Sequence, residues 1–162
     1  MQETKCNSNA LGSILTKAWP GCNTVAVDAS GASGGLAIAW NTQKISLSNL
    51  HASHNLIKAT FHIIGTNIHD HLTNVYSPYD APNKIALLDT IANLNSNREY
   101  SLWLIGGDFN MITKLEEKIG GRAKLDQDTN HFKDFIHNNT LIDMQTPNGI
   151  HTWSNRRTGS IK

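Results

Sequence analysis

The sequence predicts a mixed α/β domain of 162 residues, a two-sheet sandwich with helices on its outer faces. Three observations carry that reading. Short runs of β-forming residues follow one another along most of the chain, punctuated by glycine, asparagine and proline. Stretches with apolar residues at helical spacing are inserted among them. The third observation is the apolar run at residues 102–105, followed at once by Gly106, Gly107, Asp108, Phe109 and Asn110. It reads as a buried strand stopped by two glycines. Alternation past that stop would set Asp108 and Asn110 on one side of the chain, at the strand edge where open α/β sheets bind ligands. The two glycines suit a phosphate or hydrated metal brought close to the backbone. An ordinary turn uses the same residue types, so both readings stand at this point.

Taken in order, Leu11, Ile14, Leu15 and Ala18 predict a short helix that Trp19-Pro20-Gly21 ends. Residues 24–28 and 36–40 form a predicted hairpin around the turn at 29–35. That glycine loop lacks the Lys-Ser/Thr ending of a phosphate-binding loop, and no helical pattern follows it, which argues against a nucleotide cradle. Residues 44–50, 56–64 and 72–76 predict three more antiparallel strands, the last two separated by Gly65-Thr66-Asn67 and His69-Asp70-His71. His69 and His71 have the spacing by which a strand offers two imidazoles to a metal, but no third ligand accompanies them. A solvated turn is the commoner reading. Tyr76 ends its strand against Ser77-Pro78, which places its phenol at a sheet rim. Asp80 is a predicted N-cap with Pro82 in the first turn, and Ile85, Leu88, Ile91 and Ala92 form the apolar stripe of a helix ending at 93–97. A polar loop at 114–128 carries Arg122. Asp128 or Thr129 then opens a helix with Phe132, Phe135 and Ile136 inward, and residues 141–144 and 150–155 are the closing strands.

The composition, 39% hydrophobic and 17% charged, is ordinary for a globular domain, and a net charge of +1 means that any polyanion must be held by a local patch. Arg156-Arg157 is the only adjacent arginine pair and the candidate nucleic-acid patch. Cys6 and Cys22 lack metal-site spacing and read as reduced thiols. No apolar run reaches the ~18 residues of a membrane span, and no signal segment follows Met1. An intracellular protein, nuclear or cytoplasmic, with no membrane contact is expected.

Six blocks in order resemble a known family. They are Gln2-Glu3-Thr4-Lys5, Gly34-Gly35-Leu36, Asn74-Val75-Tyr76-Ser77-Pro78, Gly106-Gly107-Asp108-Phe109-Asn110, Leu141-Ile142-Asp143 and Thr152-Trp153-Ser154-Asn155. Together they are similar to the exonuclease/endonuclease/phosphatase superfamily, the fold of DNase I and apurinic endonucleases. The endonuclease domains of plant LINE-type retrotransposons are the nearest in flavour. The resemblance implies a four-layer α/β sandwich with its active site on one rim. It implies that Glu3 binds the metal, Mg²⁺ or Mn²⁺, and that Asp108 orients or deprotonates the attacking water. Asn110 and Tyr76 would hold the scissile phosphate, with Thr152 and Trp153 near the bound DNA strand. A hard cation with oxygen ligands suits that set.

The resemblance also has departures. Family members begin with an Asn-bearing strand ahead of the Gln-Glu-Thr-Lys block and end with an Asp-bearing strand and a Ser-Asp-His element. Neither has a counterpart here, so a chain truncated at both ends is expected, and on that ground one that does not nick DNA alone. The functional readings are therefore a metal-dependent DNA-nicking phosphodiester hydrolase, an inactive remnant with weak nucleic-acid contact, and a phosphatase acting on a small ester. No specific protein partner is implied.

Overall fold

A computed structural model describes residues 1–31, 33–96, 102–118 and 125–144. They divide into two compact units, Met1–Pro78 with Asn97–Phe109, and Tyr79–Ser96 with Asn110–Lys162.

The first unit holds both sheets. Helix α1, Ser8–Ala18, starts where the Asn7 side chain accepts the Ala10 N–H at 2.8 Å, a local N-cap. It packs against β1, Cys22–Ser30, which pairs antiparallel with β2, Ser33–Asn41. The other sheet has the order β3-β4-β5-β6, from Ile45–Ala52, Leu56–Ile63, His69–Tyr76 and Trp103–Asp108. Its first three strands are antiparallel, and β6 runs parallel to β5. Leu36 of β2, Ile57 of β4 and Tyr76 of β5 form one buried cluster, with Val25, Val27 and Ile38 packed on it. The core therefore lies between the sheets, each fully buried aliphatic side chain contributing about 1.5–3 kcal/mol. The predicted sandwich is present, and α1 covers one of its outer faces. Cys6 and Cys22 are both free thiols.

The second unit contains α2, Ala81–Leu94, a 3₁₀ turn at Leu115–Glu117, and α3, Thr129–Asn138. The Asp80 side chain accepts the Asn83 N–H at 3.1 Å, and Pro82 sits in the first turn. Those bonds from Asn83 hold the Asp80 carboxyl below its ordinary range. The sign follows directly. With its folded pKa lowered, this cap stabilises α2 in full at neutral pH. It weakens as pH falls past the ordinary carboxylate range and is lost below the folded pKa. In an acid titration followed by NMR, the Asn83 amide should move with Asp80, and Asp80→Ala should remove that part of the acid dependence of α2.

Several sequence expectations need correction. The stripe of α2 buries Lys84, Leu87, Leu88 and Ile91, with Ile85 only half-buried. Lys84 can be inside because its Nζ lies 2.7 Å from the buried Asp128 carboxylate at the start of α3. Residues 141–144 form no strand, and Ile142 and Met144 are 89% and 82% exposed. An apolar run becomes a strand only if a neighbour supplies the ladder. β5 begins at His69, so the His-Asp-His triplet is strand; Asp70 sits opposite Phe61 and His71 opposite Thr60. In β3 the register slips between Ser48 and His51, where Asn49 is left-handed at φ 49°, and the alternation expected through residue 50 fails there. The predicted strand at 150–155 and Arg122 lie outside the described residues. Among the described residues no helix is long and apolar enough to cross a membrane.

Candidate active site

Residues 1–5 run as a ribbon along β2. Ala37 N–H donates to Met1 O, Gln2 bridges Leu36, and the Thr4 and Lys5 N–H groups donate to the Gly35 and Gly34 carbonyls at 3.3 and 3.1 Å. Gly35 is needed for this approach, since its φ is 87° and a Cβ there would overlap the Thr4 hydroxyl. Asn74 fastens the ribbon to the other sheet. Its Nδ2 donates to Met1 O and Ala37 O at 3.2 and 3.1 Å, and its Oδ1 accepts from Gln2 Nε2 at 2.5 Å. Asn74 is buried and two residues before Tyr76, so strand alternation turns both toward the ribbon.

That arrangement delivers Glu3 to Tyr76. The Tyr76 hydroxyl donates to Glu3 Oε1 at 2.9 Å across 73 positions of sequence. Tyr76 is only 5% exposed and belongs to the inter-sheet core, which corrects the expectation of a rim phenol; its hydroxyl meets the exposed Glu3 from that core. Glu3 is left-handed at φ 49°, an uncommon backbone for a side chain of its kind and one that often marks functional positions.

Asp108 arrives by a different route. β6 pairs with β5 so that Asp108 is the register partner of Tyr76, and the Ser77 N–H donates to Asp108 O at 2.8 Å. Farther back, Trp103 Nε1 donates to the buried Thr73 hydroxyl at 3.0 Å, fixing the strand's start. The two glycines do not stop the strand, because both lie inside it. Gly107 answers to packing: a Cβ there would overlap the Val75 carbonyl, whereas one at Gly106 would meet open space. The expectation that both glycines clear room for a ligand is replaced, for Gly107, by close approach of the neighbouring strand.

Glu3, Tyr76 and Asp108 thus gather at one rim, at the carboxyl end of the β5–β6 pair, with both carboxylates exposed. Asn110 belongs to the second unit and is left-handed at φ 51°, so extended alternation from Asp108 does not reach it. Thr152, Trp153, Arg156 and Arg157 lie outside the described residues. Among the described residues no three His, Cys, Asp or Glu side chains converge as a metal cluster. Two exposed carboxylates still fit a hard cation that keeps most of its waters and takes one or two protein ligands. Sequence reasoning missed Gln2 and Asn74 as positioning residues. For Asn74 the signal was polar character within a strand run whose neighbours are apolar, whereas Gln2 carried none.

No family model matches the sequence, and no curated protein matches it closely enough to count. Solved structures do match. The endonuclease domain of TRAS1, a telomere-specific non-LTR retrotransposon, superposes with a TM-score of 0.58 at 15% identity, over 76% of this chain and 55% of that one. The mannosyl-6-phosphatase Bt3783 of Bacteroides thetaiotaomicron gives 0.55 at 13% identity, over 81% and 53%. An endonuclease/exonuclease/phosphatase family protein from the same bacterium gives 0.53 at 13%, over 76% and 50%. The chain spans about half the length of these structures. With two facing sheets and three helices among the described residues, and with these neighbours, the chain has the DNase I-like fold of endonuclease/exonuclease/phosphatase structures.

Proposed function

We propose that the rim is the site of a divalent-metal-dependent phosphodiester hydrolase that nicks DNA. The observation that carries this reading is the Tyr76–Glu3 hydrogen bond at the strand end whose register partner is Asp108. It brings two carboxylates and a phenol donor to one strand end, and among the described residues no third acid joins them as a metal cluster, a set suited to an anionic ester. Likeness in fold to a retrotransposon endonuclease domain supports a nucleic-acid substrate.

Glu3, exposed at the rim, would hold Mg²⁺ or Mn²⁺. The bound cation would supply charge neutralisation for the phosphoryl oxygens. Asp108 orients a water and accepts its proton as the water oxygen bonds to phosphorus. The ester P–O bond breaks, and the leaving alcohol takes its proton from solvent. The Tyr76 hydroxyl can turn from Glu3 to a phosphate oxygen as charge builds there, which favours the transition state over the ground state. Phosphate contact by Asn110, and contact with the bound strand by Thr152, Trp153, Arg156 and Arg157, rest on the resemblance in sequence alone.

The strand register and the ribbon that bring Glu3 and Asp108 to Tyr76 lie inside the first unit, and on that ground we read the rim as competent, against the expectation of no nicking drawn from the departures in sequence. Slow relaxation of supercoiled plasmid is therefore expected in Mg²⁺ or Mn²⁺. Asp108→Ala and Glu3→Gln should each reduce it by ~10²–10⁴. Relaxation that is absent, or equal in wild type and Asp108→Ala, while duplex binding persists, would leave the inactive remnant. Phosphate released from monoesters without plasmid relaxation would identify the phosphatase.

A further inference from the structure

We propose that His62 and His69 form a two-imidazole site for a transition-metal ion of the Zn²⁺, Cu²⁺ or Ni²⁺ class, on the outer face of the β4–β5 pair and at the end opposite the rim. The inference stands apart from the hydrolase reading and shares no residue with it.

Register brings the two residues together: His62 of β4 is the partner of His69 of β5. Along the same ladder the Tyr76 N–H donates to Asn55 O and the Ile63 N–H to Ile68 O, both at 2.9 Å, so its hydrogen-bonded rungs fall on the odd-numbered residues of the β4 side. His62–His69 is therefore a rung of the other kind, in which facing Cα atoms approach to about 4.5 Å and side chains lie closest. Ile57 and Tyr76 point into the inter-sheet core, and alternation turns His62 and His69 the opposite way. One imidazole of the His-Asp-His triplet thus faces a second imidazole across the strand pair.

Both rings carry the second bond that metal-ligating histidines make. His62 Nε2 lies 2.9 Å from Thr66 O, and His69 Nδ1 lies 3.2 Å from Asn67 O. A carbonyl oxygen only accepts, so these nitrogens hold the protons, and in the neutral imidazoles the lone pairs are left on His62 Nδ1 and His69 Nε2. Among the described residues neither of those two nitrogens is hydrogen-bonded. A ligating histidine characteristically gives its other N–H to a carbonyl or carboxylate, which fixes tautomer and ring plane. The turn that supplies the carbonyls is itself tied: the Thr66 N–H and hydroxyl donate to Ile63 O at 3.1 and 2.8 Å, and the Ile68 N–H donates to Thr66 Oγ1 at 3.1 Å. His69 is exposed and His62 half-buried, so a cation reaches the pair from solvent.

Neutral imidazole selects borderline cations, whereas Mg²⁺ takes oxygen ligands in an octahedral shell. Two imidazoles leave the remaining positions to water, and among the described residues no third His, Cys, Asp or Glu completes a cluster. His71 shares the face at the next alternate position of β5, but its Nδ1 is buried, and it is not assigned to the site. His69 and Tyr76 are the two ends of β5, separated by roughly 23 Å of extended strand, so this cation and the one assigned to Glu3 are different ions. Held by β4 and β5 together, the ion would bind the folded hairpin more tightly than the unfolded chain and so stabilise the folded protein.

The test is a titration of the full chain with Zn²⁺, followed by calorimetry and by the histidine ring resonances assigned through the backbone, with Mg²⁺ as the comparison cation. The His62 and His69 rings should shift together with Zn²⁺ and stay fixed with Mg²⁺. His62→Gln and His69→Gln should each weaken Zn²⁺ binding by more than about ten-fold, the lower end of what losing even an outer-shell partner costs a metal site. His71→Gln should bind Zn²⁺ as the wild type does. Zn²⁺ should raise the thermal midpoint of the wild type and of His71→Gln, but not that of His62→Gln. Wild-type rings that do not move with Zn²⁺ would overturn the proposal whether or not the variants fold. Equal affinity in the wild type and the His62→Gln/His69→Gln double variant would overturn it too. A loss in His71→Gln as large as in His69→Gln would do the same, since the ion would then lie along β5 rather than across the β4–β5 pair.

Discussion

Gly107→Ala should be among the most damaging single-methyl substitutions in the chain, costing on the order of 4 kcal/mol. Two penalties add. At φ 150° the backbone is in a region that residues with a Cβ rarely enter, and forcing one there costs about 1–3 kcal/mol. The new methyl would also overlap the Val75 carbonyl, so the β5–β6 ladder must open, for about 1–3 kcal/mol more. Neither partner can yield cheaply, because Val75 is fully buried and its strand is paired on both sides. Gly106→Ala is the comparison: its Cβ meets open space and its φ is not in the left-handed region, so a change within about 1 kcal/mol is expected. Urea titrations of the two variants decide the matter. A Gly107→Ala midpoint equal to that of Gly106→Ala would show that the strands are not as close as described. The same substitution should move Asp108, the next residue, and so reduce any activity beyond the loss in folded protein.

Asp128→Asn should destabilise the second unit by about 3–5 kcal/mol, because it strands a buried ammonium. The Lys84 and Asp128 side chains are 9% and 2% exposed and stand 2.7 Å apart. Removing both charges is a different experiment. Lys84→Met with Asp128→Leu keeps the volume roughly constant, and stability near wild type or above is expected from it. A double-mutant cycle in urea therefore should show strong coupling between the positions. Additive losses would mean that water reaches the pair and screens it.

The sandwich was legible because its strands and turns are written locally. Leu11, Ile14 and Leu15 before Trp19-Pro20-Gly21 fix α1, and the runs flanking Gly31 fix the first hairpin. What sequence alone missed depends on partners distant in the chain. Lys84 at a buried position makes sense only with Asp128, forty-odd residues away, and single-chain periodicity cannot see such a pair. The same limit applies at residues 141–144, where β-forming residues met no neighbouring strand among those described. At the site, the adjacency of Glu3 to Tyr76 and Asp108 came from resemblance rather than from spacing. The structure supplies its mechanism in the Asn74 clamp and the parallel register.

The ribbon that bears Glu3 is joined to the sandwich by hydrogen bonds to β2, to Asn74 and from the Tyr76 hydroxyl. A segment so attached has its own opening equilibrium, separate from global unfolding. One of the two rim carboxylates therefore rides on a latch, while the other is set in a paired strand. Any ligand gripped by both would fasten the latch, and part of its binding energy would be spent on closing it. Occupancy would then be written in the hydrogen exchange of the Thr4 and Lys5 amides, which donate to Gly35 and Gly34, while the amides between β4 and β5 would keep their protection.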